Sequence, residues 1–256
     1  MLEILICLLA GLGAGFGTGF AGMSAAAVIS PMLISFLHVD SYMAVGIALA
    51  SDVLASAASA WTYKKNKNID IKNGLVMMAF VLLFTVVGSW IASLVPHTVM
   101  GNFSTVMTML LGIKFLVKPV MKAREGGISG DKRKKLIGSV VCGAVVGFIC
   151  GFIGAGGGMM MLLLLTSVLG YELKTAVGTS VFIMTFTALT GSVSHFAIGD
   201  LPDLKYLILC VVFTFIFALI ASKLANKAKP EILNRTVGAI LLVLGVSILA
   251  VNVLPL

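Results

Sequence analysis

The sequence predicts an all-α polytopic membrane protein made of two inverted-topology repeats. Each repeat is a glycine-rich broken or re-entrant helical hairpin followed by three transmembrane helices. Three observations carry this prediction. Of the 256 residues, 59% are hydrophobic and only 11% are charged, whereas soluble domains carry roughly 25% charged residues. Too little polar surface is left to clothe a globule in water. The apolar residues fall in successive runs, several of about 20 residues, the helix length that crosses a ~30 Å hydrocarbon core. Finally, the chain matches itself at the constant offset that separates Gly11 from Gly143. Gly15, Phe16, Gly19, Phe20 and Gly22 then fall on Gly147, Phe148, Gly151, Phe152 and Gly154, and the `AVG` of 44–46 on that of 176–178.

Taken in order, the first half (1–120) holds apolar segments near 3–20, 23–37, 42–62, 74–94 and 99–118. A basic linker covers 121–135. The second half (136–256) repeats the series near 136–153, 156–169, 174–197, 204–224 and 232–253. The opening run `MLEILICLLAG` has no Lys or Arg before it and no small-residue cleavage site, so it reads as a retained span. Segments 23–37 and 156–169 fall short of the ~17–25 residues needed to cross. The first two segments of each half form either two full spans or one re-entrant hairpin, and their short second members favour the hairpin.

Charge placement sets the expected orientation. The loop 63–73 (`YKKNKNIDIKN`), the linker and the loop 223–235 hold most of the Lys and Arg, whereas the loops near 39, 97 and 200 have none. By the positive-inside rule the basic loops, including the linker, are cytoplasmic and both termini are extracytoplasmic. Loop 63–73 is basic and its repeat partner near 198–203 is acidic, which makes the halves inverted. Inverted repeats typify secondary transporters, whose sites lie at the repeat interface near the bilayer midplane. The net charge of +8 is therefore a membrane signature. Without a basic face or aromatic platform it does not call for nucleic acid.

The glycines divide into two groups. Gly11, Gly15 and Gly19, like Gly143, Gly147 and Gly151, are spaced four apart and line one helix face, where backbones approach closely. Gly154, Gly156, Gly157 and Gly158, with Gly22 in the other half, sit instead at the junction between segments. Consecutive glycines unwind a helix, and unwound backbone at membrane depth survives only inside protein or beside a wet cavity. The helix restarting near Met159 would present free N–H groups and a partial positive charge to that cavity, a place for an anion. Its mirror copy lies at Met23-Ser24. The candidate substrate-binding residues are thus Gly22, Met23, Ser24, Gly154, Ala155, Gly156, Gly157, Gly158, Thr179 and Ser180, and the expected partner is a small anion. Thr18, Ser24, Ser30, Thr179 and Ser180 offer hydroxyls, although Ser and Thr also serve helix packing.

Asp52 lies mid-way along the 42–62 segment with no base elsewhere in that span. An acid at that depth is costly and usually functional, so Asp52 is a candidate proton or cation coupling site. A protonated carboxyl bonded to backbone is the alternative. Pro31 is expected to kink or end the short segment that holds it. Cys7, Cys142, Cys150 and Cys210 are scattered singly and show no metal or redox spacing. No cofactor or metal is expected. The absence of HExxH, GxSxG or paired membrane acids argues against an enzyme.

The runs `GFICGFIGAGGGMMMLLLL` and `LKTAVGTSVFIMTFTALTGSVSHFAIGDLP`, with the two glycine-rich halves and the basic linker, resemble the sulfite exporter TauE/SafE family. The residues that match are Gly154 to Gly158 and Gly178 to Ser180, with Gly15, Gly19 and Gly22 in the first half. There the chain departs from the family pattern, showing `AGMSAAA` and `GIALASD`, which implies an asymmetric site. The resemblance implies an inner-membrane transporter exporting sulfite, sulfoacetate or another organosulfur anion. A passive anion channel and, less favoured, an accessory membrane subunit are the competing readings.

Overall fold

The computed structural model describes residues 2–92, 132–153, 157–198 and 202–229, with isolated positions at 113, 116–117 and between 231 and 246. The expected segments 99–118 and 232–253 and most of the linker lie outside this set. Among the described residues there is no strand, and the helices are α1 (Leu2–Ala21), α2 (Ala26–Leu37), α3 (Ser41–Lys65), α4 (Ile71–Ala92), α5 (Lys132–Ile153), α6 (Gly157–Ser167), α7 (Leu173–Ile198) and α8 (Leu204–Lys227). Four of them, over Leu2–Ala21, Met43–Lys65, Leu173–Val193 and Leu204–Lys227, are long and apolar enough to cross a membrane.

The helix ends depart from the apolar runs where polar residues extend a helix. Lys64 and Lys65 prolong α3 and oppose the negative end of its dipole. Helix α5 begins at Lys132, inside the basic segment, because Lys and Arg lose little rotamer freedom in a helix. Helices α2 and α6 have 12 and 11 residues. At 1.5 Å per residue they are about 18 and 17 Å long, well short of a ~30 Å core. Pro31 lies inside α2 and does not end it. Its ring removes one donor, and the helix continues to Leu37, where His38 at φ 53 closes it by donating to Leu33 O.

Helices α3 and α7 pack against each other at the centre. The glycine stripes join α1 to α8 and α5 to α4. A Cβ placed on Gly11 would stand 2.5 Å from Phe213 Cβ, one on Gly15 2.7 Å from Phe217 Cβ, and one on Gly19 2.6 Å from Ala221 Cβ. The constant register makes α1 and α8 parallel. Their starts are tied by the Glu3–Lys205 ion pair and by Tyr206 Oη, which donates to Glu3 at 3.1 Å. Asp203 caps α8, accepting from Lys205 N at 2.8 Å. In the other pair, Gly143 meets Met77 O and Gly147 meets Val81 O, so α5 and α4 also run parallel.

Helix α8 shows what kind of solvent surrounds the bundle. Its buried residues are small or polar: Cys210, Thr214, Ala218, Ala221, Ser222 and Ala225. Its exposed residues include Ile208, Val212, Phe215, Ile216, Ile220 and Leu224. Large apolar side chains outside and small ones between helices reverse the soluble pattern. They match a bundle held by close backbone packing in lipid.

Candidate functional site

The first-half junction is built from α1, α2, α3 and α7. Helix α1 stops at Ala21 because Gly22 takes φ +61, a left-handed conformation that glycine adopts without steric cost. Gly22 N donates to Thr18 O at 3.0 Å, and Met23 N reaches back to Gly17 O at 3.4 Å. The chain then turns into α2, where Ser24 Oγ accepts from Ala26 N at 3.3 Å.

Breaking a helix inside an apolar bundle frees backbone carbonyls that need donors. Hydroxyls provide them. Tyr63 Oη donates to Gly19 O at 2.8 Å, Thr18 Oγ1 to Met23 O at 3.0 Å, and Ser180 Oγ to Gly22 O at 2.8 Å. Tyr63, Thr18, Ser180 and the acceptor segment are all buried. Tyr63→Phe should therefore strand Gly19 O at a cost of about 1–3 kcal/mol. A fall of several degrees in the thermal midpoint of the detergent-solubilised protein is the expected reading, and an unchanged midpoint would remove Tyr63 from this role.

Asp52 belongs to the same junction. Ser24 Oγ donates to Asp52 Oδ2 at 2.8 Å and Ser56 Oγ to Oδ1 at 2.7 Å. The side chain is fully buried. Through Ser24, whose Oγ also accepts from Ala26 N, the Asp52 carboxyl group reaches the start of α2, the end of a helix that attracts an anion. An anion was expected at this N-terminus, and the acidic side chain that stands there is the chain's own.

The first turn of α6 comes directly onto this junction. A Cβ placed on Gly158, in the first turn of α6, would stand 2.7 Å from Gly22 O, 3.0 Å from Met23 Cα and 3.0 Å from Ser24 N. The break after α1 and the start of α6, a hundred and more residues apart in sequence, therefore touch at Gly22–Ser24 and Gly158. Met23 is buried and fills the space left by Gly17. Gly157 begins α6, while Gly154, Ala155 and Gly156 lie outside the described residues.

Thr179 and Ser180 part company. Ser180 joins the junction, whereas Thr179 Oγ1 accepts from Asp70 N at 3.1 Å in the segment between α3 and α4. That segment is pressed onto α7, since a Cβ on Gly178 would run into Asn68 O. Tyr171 Oη donates to Asp70 Oδ2 at 2.8 Å and Asn68 Nδ2 to Asn226 Oδ1 at 2.7 Å. Burial and the Asp70 carboxylate push the Tyr171 phenol up, so it stays a donor.

Sequence reasoning missed Tyr63 and Ser56. A signal was available: Asp52, Ser56 and Tyr63 are four and then seven residues apart, which puts them on one face of α3. Ser59 lies on that face too, and its buried hydroxyl has no partner among the described residues, like those of Ser30 and Thr214. No group of three His, Cys, Asp or Glu with metal-binding placement occurs among the described residues.

Comparison with known proteins agrees on the class of molecule. The chain is 23% identical over 238 residues to the probable membrane transporter protein YdhB of Bacillus subtilis, covering 93% of this chain and 95% of that one. It is 27% identical over 219 residues to the probable membrane transporter protein YunE of the same organism, covering 77% and 80%. It is also 26% identical over 251 residues to a probable membrane transporter protein of Methanocaldococcus jannaschii, covering 93% and 90%. The family model described as sulfite exporter TauE/SafE matches residues 7–248. A match across nearly the whole chain, on a bundle with several membrane-crossing helices, makes this a multi-pass membrane transporter and a member of the TauE/SafE family.

Proposed function

We propose that the chain carries a small anion, such as sulfite, sulfoacetate or another organosulfur anion, by alternating access around the place where its two hairpins meet. The observation that carries this reading is the seating of Gly158 on Gly22–Ser24, with Ser180 bonded across it. A helix break and a helix start in contact between distant parts of the chain suit a carrier that exposes one site to either side. The first turn of α6, from Gly157 and Gly158, supplies the N–H groups for the anion, with Gly154, Ala155 and Gly156 leading into it. Ser180, and Thr179 when it leaves Asp70, supply hydroxyls. Gly22, Met23 and Ser24 form the opposing wall. Asp52 is the coupling residue.

The inverted arrangement is supported by the helix pairings. Helix α1 packs on α8 as α5 packs on α4, and α3 packs on α8 as α7 packs on α4. Exchanging the halves leaves this pattern intact. With the Lys64, Lys65 and Lys227 ends cytoplasmic, the Glu3 and Lys205 ends face outward, together with both termini. Direction follows the gradients, and the family description favours export.

Proteoliposomes loaded with the purified protein test the reading. Uptake of labelled sulfite, competed by thiosulfate, sulfonates and carboxylates, should saturate, and sulfur oxyanions should compete best. If no anion competes, the anion reading is lost. A high, non-saturating conductance in a planar bilayer would replace the carrier by a channel.

A further inference from the structure

We infer that Asp52 makes this carrier a proton–anion symporter, because its carboxylate lies one residue away from the place where the substrate anion would bind. The inference rests on the anion reading above and deepens it by fixing the sign of coupling. Ser24 is the link: its hydroxyl is bonded to Asp52 Oδ2 at 2.8 Å, and its backbone N stands 3.0 Å from a Cβ placed on Gly158. An anion on the first turn of α6 and the Asp52 carboxylate would thus be close neighbours within the bundle.

The surroundings decide what their proximity does. Helix α3 packs against α1, α2, α7 and α8. Helix α2 carries no titratable group. On α1 the titratable groups are Glu3 and Cys7, near its start. On α7 Lys174 lies in the first turn and donates to Asn226 O at 2.8 Å, and His195 lies in the last turn. On α8 Lys205, Tyr206 and Cys210 lie near the start and Lys223 and Lys227 near the end, while α3 itself adds Tyr63, Lys64 and Lys65 at its end and Tyr42 at its start. Among the described residues, the groups bonded to the carboxyl oxygens are the Ser24 and Ser56 hydroxyls. No cation among the described residues reaches it. The repulsion between the two anions is therefore relieved by protonating Asp52. Two unit charges about 10 Å apart at protein-like dielectric disfavour joint occupancy by roughly tenfold, and linkage makes the effect reciprocal.

Proton and anion consequently load together and leave together. Across a membrane that is acid outside, the pH difference drives the anion inward. Net export then requires an outward anion gradient larger than that difference.

The test uses full-length protein in nanodiscs and labelled thiosulfate and methanesulfonate, whose charges do not change between pH 5.5 and 8. Affinity should be about tenfold higher at pH 5.5 in the wild type. Asp52→Asn should bind with the low-pH affinity at both values, while Glu3→Gln, which alters only the contacts with Lys205 and Tyr206 at the helix starts, should keep the wild-type slope. In liposomes the wild type should acidify the lumen as the anion enters, a readout that needs no variant. A slope that persists in Asp52→Asn, or anion uptake without proton uptake, would overturn the symport inference. Absence of binding at either pH would instead strike the anion reading beneath it.

Discussion

Gly147→Val should leave little or no monodisperse protein after extraction from the membrane. A Cβ at this position runs into Val81 O, with Val81 Cα at 2.8 Å and Val81 C at 2.9 Å. Those atoms belong to the backbone of α4 and have no rotamer to retreat into. Relief requires α4 and α5 to separate along their length, which exchanges packed contacts for lipid without any hydrophobic compensation. Overpacking of a core usually costs about 1–3 kcal/mol, and a clash with a fixed carbonyl belongs at or above the upper end. Gly13→Ala is the matched control. Its Cβ would meet only Val28 Cγ1 at 3.1 Å, and Ala gains roughly 1 kcal/mol of helix propensity over Gly. Size-exclusion profiles and thermal midpoints of both variants decide the matter. Equal behaviour of the two would mean that the stripe is not a contact surface.

The second large effect is expected at Gly158. Gly158→Val places a branched side chain against Gly22 O, Met23 Cα and Ser24 N, all within 3.0 Å of its Cβ. The helices that carry these residues are held elsewhere, α1 by α8 and α6 by α5 and α7, so the protein should still fold and extract. The junction should open by an ångström or more. Displacement of about 1 Å at a site that must hold its ligand in register costs on the order of 100-fold in rate. Anion flux per folded molecule in proteoliposomes should fall by that order while the elution profile stays normal. Flux within a few-fold of wild type would mean that transport passes elsewhere.

What the sequence made legible follows from the physics each pattern encodes. Four-residue glycine spacing encodes the distance between two helix axes, and it was read correctly as close packing. It carries no address, so only the structure shows that the partner of α1 is α8 and that of α5 is α4. The helix break at Gly22 was legible because positive φ selects glycine. The partner of the Ser24 hydroxyl was not, since Asp52 lies 28 residues away and only the return of α2 along α3 brings them together. Thr179 and Ser180 look alike in sequence, yet adjacent helical residues point about 100° apart. One therefore meets the junction and the other the Asp70 segment. Pro31, expected to kink or end its segment, does not end it: a proline costs a helix one hydrogen bond and a clash, yet α2 runs on to Leu37.

The parallel pairing of α1 with α8 also bears on how the protein is made. Glu3 and Lys205 are 202 residues apart, and synthesis at ~5–20 residues per second separates their emergence by about 10–40 s. For that interval the glycine face of α1 has no permanent partner and must be sheltered by lipid or by the insertion machinery. Helix α4 waits in the same way for α5, though more briefly. A ribosome that stalls in the linker therefore releases half a molecule with two unmatched surfaces, and quality-control proteolysis should clear it quickly. Two halves made as separate chains in one cell should rescue each other.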